Sequence, residues 1–176
     1  MKKIAIIGSG GSGKSTFARQ LGERLQIKVH HLDALFWKPG WIGVPKQEQK
    51  QMQHDLVKRD KWIIDGNYGG TMDIRLNAAD TIILLDLPRL VCVYRIIKRF
   101  VQYRNKSRPD MGTGCEERIS LEFLKWVWQY PKAKKPEIMQ KLENFPAEKD
   151  VIILKSPHKI NQFLQKNQHP AYRVHT

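Results

Sequence analysis

Cysteine is scarce in this chain: Cys92 and Cys115 stand far apart, with no CxxC spacing. That excludes a disulfide scaffold and a cysteine-built zinc site, and it leaves two inert thiols suited to a reducing compartment. Long apolar runs are lacking as well. Only four apolar residues, Ile4 to Ile7, precede Gly8, too few for the core of a signal peptide, and no run approaches membrane-spanning length. The chain therefore reads as cytoplasmic, with no membrane partner. Acidic residues are in short supply too, 17 against 31 Lys plus Arg, which leaves a formal charge of +14. Such a surplus attracts polyanions, whether nucleotides, nucleic acid or acidic surfaces, without choosing among them. It is concentrated: Arg89 to Lys141 holds 13 basic residues against five acidic ones.

There is no internal repeat and no linker-like stretch, so 176 residues read as one domain over 1–167, long enough to bury a core, followed by a polar, aperiodic tail at 168–176. Short β-rich apolar runs recur at Lys3–Ile7, Ile27–Leu32, Trp62–Asp65, Thr81–Leu87 and Val151–Leu154. Each is followed by turn residues and helical sequence, the pattern of a five-stranded parallel sheet covered by helices. Helical spacing predicts crossover helices over Lys14–Leu25 and Arg89–Tyr103, the latter through Leu90, Val93, Tyr94, Ile97, Phe100 and Val101. Further helices are expected over Lys46–Arg59, with Pro45 in its first turn, over Glu116–Tyr130 and over Pro136–Phe145, with a loop at Asn105–Gly114.

One motif carries chemistry on its own. Gly8, Ser9, Gly10, Gly11, Ser12, Gly13, Lys14 and Ser15 match GxxxxGK[ST], placed between an apolar strand and an amphipathic helix as a phosphate-binding loop must be. The glycines let the backbone wrap a phosphate chain with its amides pointing inward, and the helix adds the positive end of its dipole. Lys14 then reaches the β- and γ-phosphates, Ser15 offers a hydroxyl to Mg²⁺, and Thr16 neighbours the α-phosphate. The implied ligands are ATP and Mg²⁺.

Ligands of open α/β sheets bind beyond the carboxyl ends of the strands, and three aspartates lie there. Asp65 fits a Mg²⁺ partner or a turn cap before Gly66-Asn67. Asp33 fits a base for an acceptor hydroxyl or a cap for the next segment. Asp86, before Leu87-Pro88, reads as a helix cap and is left out of the site. Trp37 and Trp41, in a loop after Asp33, either stack on a ligand or pack on a neighbouring helix. His30 and His31 are adjacent on a strand, so they point to opposite faces and cannot share a metal; neither is assigned as a ligand.

Arg95 and Arg99 share one helix face, and Arg104, Arg108 and Arg118 follow. The planar guanidinium fork suits phosphoryl oxygens, although a solvated basic face is the usual meaning of such a run. With the phosphate loop, Asp65-Gly66 and Arg95-Ile-Ile-Lys-Arg99, the chain resembles the adenylate-kinase-like nucleotide kinases along nearly its whole length. The resemblance implies a three-layer P-loop NTPase fold with a short lid at 100–115. It also implies that Arg95 and Arg99 frame the lid, that Arg108, with Asp110, and Arg118 clamp phosphates, and that Lys155-Ser156-Pro157-His158 holds adenine. Leu32-Asp33-Ala34-Leu35-Phe36-Trp37 and Trp62-Ile63-Ile64-Asp65-Gly66-Asn67-Tyr68 are more closely similar to the bacterial FlaR-like group labelled DNA topology modulation proteins. The chain departs from adenylate kinases in the short interval from Arg99 to Arg108 and in Asn-Tyr after Asp65-Gly66.

The expectation from these residues is transfer of the ATP γ-phosphoryl group to a small acceptor, a nucleotide among the candidates. Lys14, Asp33, Arg95, Arg99, Arg108 and Arg118 would be the catalytic set, and Ser15 and Asp65 the metal partners. The alternative is a nucleic-acid-binding protein that modulates DNA topology with ATP as a switch.

Overall fold

The computed structural model describes residues 1–104, 106, 108 and 110–167. The expected tail at 168–176 and three positions of the expected lid, 105, 107 and 109, lie outside the described residues.

In chain order the elements are β1 (Lys3–Gly8), α1 (Lys14–Leu25), β2 (Val29–His31), α2 (Leu32–Phe36), β3 (Trp37–Lys38), β4 (Ile42–Gly43), α3 (Lys46–Val57), β5 (Trp62–Asp65), a 3₁₀ turn (Gly69–Thr71), α4 (Met72–Ala78), β6 (Thr81–Leu85), α5 (Arg89–Gln102), α6 (Leu121–Ala133), α7 (Lys135–Glu143), β7 (Asp150–Leu154) and α8 (Pro157–Lys166). Five strands form one parallel sheet in the order β2-β5-β1-β6-β7. The apolar content of β1, β5 and β6 follows from burial on both faces. Alternation sends Ile4 and Ile6 of β1 to the side covered by Phe17 and Leu21 of α1 and Leu164 of α8. Ala5 and Ile7 go to the side covered by Leu56, Leu76, Tyr130, Ile138 and Leu142. Helix, sheet and helix thus make the three layers expected. A third apolar cluster, Leu87, Cys92, Ile96 and Val127, locks α5 to α6.

Several local expectations change. Trp37 and Trp41 belong to a small antiparallel hairpin of β3 and β4 rather than a plain loop, with Gly40 and Trp41 at positive φ in its turn. Asp33 lies just beyond the carboxyl end of β2, in the first turn of the short helix α2. Asp86 caps no helix: α5 begins after Pro88, and the Asp86 carboxylate pairs with Lys135 at 2.7 Å. Helix α6 starts at Leu121, where Ser120 accepts from the Phe123 amide at 3.0 Å, and runs through Pro131 to Ala133. The proline is tolerated because the next turn closes from Lys134 N to Tyr130 O at 3.0 Å.

His30, on the sheet face opposite His31, is 8% exposed, and its Nε2 lies 3.4 Å from Arg59. Burial first, then the Arg59 and Lys28 charges, hold its pKa down from 6.5 to about 4. The unfolded chain therefore binds a proton that the native state refuses. The stabilising contribution is complete above pH 6.5 and is lost as pH falls towards 4. We expect about 2 kcal/mol less unfolding free energy at about pH 5 than at about pH 7.5 from this group, and His30→Gln to remove that increment in urea titrations. The same pH dependence in both proteins would refute it.

Candidate active site

The loop after β1 adopts a conformation only glycine permits at two decisive points. Gly11 has φ 73°, and a Cβ there would lie 2.2 Å from the Cys92 carbonyl oxygen. Gly13 has φ 92° and is the N-cap of α1, with no side chain capping the first turn. Those amides remain available to an anion. The Lys14 ammonium donates to the Ser9 carbonyl at 2.8 Å. Burial pulls its pKa below the ordinary lysine value, against the opposing pull of Asp33 and Asp65.

The sheet register brings the carboxylates to the loop. His31 of β2 pairs with Asp65 of β5, and the two side chains meet through Nδ1 and Oδ1 at 2.5 Å. Burial alone would lower the His31 pKa, but the Asp65 hydrogen bond and charge, backed by Asp110 and Asp33, leave it raised. The other Asp65 oxygen accepts from Ser15 Oγ at 2.9 Å. Asp33 Oδ1 accepts from the Tyr68 hydroxyl at 2.7 Å, and that hydroxyl oxygen accepts from Trp37 Nε1 at 2.9 Å. Burial, then the Asp33 charge, push the Tyr68 pKa upwards, so the phenol is kept as a donor.

The segment after β5 is held from beneath by Arg75, which is fully buried. Its guanidinium donates to Gly66 O at 3.0 Å, Tyr68 O at 3.5 Å and Gln53 Oε1 at 3.2 Å; Gln53 in turn bonds Thr71. Desolvation lowers its pKa to about 10, still well above neutrality. Arg75→Met strands those acceptors, and we expect a loss of roughly 2–4 kcal/mol in chemical denaturation. An unchanged unfolding midpoint would show that this network does not hold the segment.

Four of the five candidate arginines enter the site. Arg95 donates to the Ser12 carbonyl at 3.0 Å, which ties α5 to the phosphate loop. Arg99 and Arg108 converge on the buried carboxylate of Glu117, at 3.0 Å and 2.5 Å, and Arg108 also pairs with Asp110 at 3.0 Å. The Arg118 guanidinium lies 4.3 Å from the centre of the Trp41 ring, and Trp41 meets Trp37 edge to face with ring centres 5.5 Å apart.

A cavity of about 870 Å³ joins these groups, within the size range of small-molecule sites. It is bordered by Gly10 to Thr16, Asp33, Asp65, Arg95, Arg99, Arg108 and Arg118, together with His31, Trp37, Trp41, Tyr68 and Glu117. Gly8 and Ser9 stand just behind its wall: Gly8 ends β1, and Ser9 turns its carbonyl to Lys14. Of Lys155-Ser156-Pro157-His158 only Pro157 reaches the cavity, because Ser156 is spent capping α8. His31, Tyr68 and Glu117 were not assigned from the sequence. The alternation that put His30 and His31 on opposite faces was right, but it could not reveal that one of those faces carries Asp65.

Fold and loop together define the class: a three-layer P-loop fold with a five-stranded parallel sheet, of the nucleotide-kinase-like kind. No family model matches the chain. Among curated proteins it is 28% identical over 136 residues to the uncharacterized protein YqaC of Bacillus subtilis (strain 168), covering 75% of this chain and 74% of that one. Among solved structures it is similar to shikimate kinase from Bacteroides thetaiotaomicron, with TM-score 0.57, 17% identity and coverage of 93% and 94% of the two chains. It is likewise similar to deoxyadenosine kinase from M. mycoides with bound dATP, with TM-score 0.54, 16% identity and coverage of 94% and 98%. At such identities the likeness is one of fold. No helix among the described residues is long and apolar enough to cross a membrane.

Proposed function

We propose that this chain is an ATP-dependent phosphotransferase that passes the γ-phosphoryl group to a hydroxyl of a small acceptor in the cytoplasm. The observation that supports the reading is the shared cavity, which Lys14, the loop residues Gly10 to Thr16 and Arg95 border together with Asp33 and Tyr68. The fold it shares with solved kinases supports the same reading.

Loop amides from Gly10 to Thr16 and the Lys14 ammonium neutralise the phosphate chain, the ammonium leaving Ser9 O to do so. Ser15 and Asp65 are hard oxygen donors 2.9 Å apart, the kind of pair that holds Mg²⁺ alongside substrate phosphates. Among the described residues no group of three or more His, Cys, Asp or Glu forms an all-protein metal site, which fits an ion bound mainly through the nucleotide. Bound there, Mg²⁺ supplies positive charge to the β- and γ-phosphates. Asp33 accepts the proton of the acceptor hydroxyl as its oxygen bonds to the γ-phosphorus, the bond to the β,γ-bridging oxygen breaks, and ADP departs with the electron pair. Arg95 and Arg118 face the transferring group, while Arg99 and Arg108 act through the Glu117 cluster.

The test is coupled ADP release with Mg·ATP and a broad panel of small hydroxyl compounds. Acceptor-stimulated turnover is expected, and its absence across the panel from well-folded protein would remove the proposal. The second reading, nucleic-acid binding with ATP as a switch, rests on the +14 charge, the aromatic Trp37–Trp41 segment and the resemblance to the FlaR-like group. It requires DNA affinity that falls steeply with salt.

A further inference from the structure

Trp41 holds a backbone conformation that a large side chain disfavours. Its φ of 62° lies in the left-handed region, next to Gly40 at 77°, in the turn between β3 and β4. Glycine takes that conformation freely. A bulky residue there is an outlier, and such outliers persist where the surroundings hold them and gather at functional sites. A tryptophan kept at this position points to a use for its ring.

The ring is fixed from two sides. Its indole N–H donates to the Glu116 carbonyl at 2.9 Å, and it meets the Trp37 ring edge to face. The hairpin that carries it is docked on the 112–116 stretch: Gly40 N donates to Gly114 O at 3.0 Å, and Cys115 Sγ to the Lys38 carbonyl at 3.2 Å. The approach is so close that a Cβ on Gly112 would lie 2.8 Å from Trp37 O, and one on Gly114 3.0 Å from Pro39. On this docked hairpin the Trp41 ring lies under the Arg118 guanidinium, 4.3 Å away, and both residues border the cavity. Among the described residues no carboxylate pairs with Arg118, so the aromatic face is what gives its long side chain a direction.

We propose that Trp41 is a positioning residue whose ring is the platform that keeps the Arg118 guanidinium in the cavity, at the γ-phosphate of Mg·ATP. The proposal rests on the phosphotransferase reading, in which Arg118 faces the transferring group, and adds the residue that holds it there. Trp41 acts on the phosphate only through Arg118: stacking limits the rotamers open to the guanidinium before the nucleotide arrives, so less freedom is lost on binding.

The experiment measures, by calorimetry, the ratio of affinities for a non-hydrolysable Mg·ATP analogue and for Mg·ADP, which reports contacts with the γ-phosphate and needs no acceptor. Arg118→Met is expected to lower that ratio by about tenfold, because it removes a charge-assisted contact. Trp41→Gly is expected to lower it by about threefold; glycine suits the left-handed φ, so the variant should fold. Should it not fold, Trp41→Leu carries the same expectation. In the double variant the ratio should fall no further than in Arg118→Met alone, whereas two independent roles would multiply to about thirtyfold. Trp41→Phe keeps an aromatic face without the N–H for Glu116 O and should recover most of the loss. General damage to the loop would weaken both nucleotides alike and leave the ratio where it was. An unchanged or raised ratio in either folded single variant, or the full thirtyfold loss in the double variant, would overturn the proposal and leave the phosphotransferase reading standing. Failure of the wild-type protein to bind either nucleotide would remove both.

Discussion

Replacing Lys14 with alanine is expected to slow phosphoryl transfer by about 10²–10³-fold, equivalent to roughly 3–4 kcal/mol of transition-state stabilisation. Lys14 is half-buried, its ammonium lies against the Ser9 carbonyl at 2.8 Å, and it feels the charges of Asp33 and Asp65. In such surroundings its charge is poorly screened, so losing it weighs more than losing an exposed lysine. The loop amides and the start of α1 remain in the variant, so calorimetry should still detect Mg·ATP, weakened by roughly tenfold. Single-turnover rates separate the two effects. A variant that transfers phosphate at the wild-type rate would show that charge neutralisation lies elsewhere, and Arg95, bonded to Ser12 O, would be the first residue to test.

Asp33→Asn should leave Mg·ATP affinity within about twofold and lower kcat with a good acceptor by about 10²–10⁴-fold, the range for loss of a positioned general base. The amide keeps the size of the side chain and its acceptance of the Tyr68 hydroxyl, so the fold is not expected to suffer. Tyr68→Phe removes one neutral donor and should cost about fivefold to tenfold, mostly in kcat. The ordering of the two variants is the informative part. If Tyr68→Phe were as damaging as Asp33→Asn, the Trp37–Tyr68–Asp33 chain would act as one unit with the phenol at its centre. If Asp33→Asn kept full activity, the proton would leave by another route.

Much of the fold was legible because its signals are local. The apolar runs of β1, β5 and β6 announce strands buried on both faces, and helical periodicity announces α1 and α5. The hairpin of Trp37–Lys38 with Ile42–Gly43 was not legible, because two-residue strands leave no period to detect. Helix α2 escaped for the same reason, being five residues long. Helix α6 was expected to stop before Pro131, yet packing of Val127 and Tyr130 carries it past. Tertiary contact overrides a local propensity when the lost hydrogen bond falls in the last turn.

For the site, the sequence alone determined the phosphate loop, since GxxxxGK[ST] places every required amide, ammonium and hydroxyl within one continuous stretch whose glycines allow one compact path. It also marked Asp33, Asp65 and the arginines as candidates by type and order. Which charges face the cavity uncancelled was settled only by the tertiary structure, through contacts such as His31 with Asp65, 34 residues apart, and Arg99 with Glu117, 18 apart. The physical reason is that ion pairing depends on distance and burial in space, and neither can be read from the order of residues along the chain.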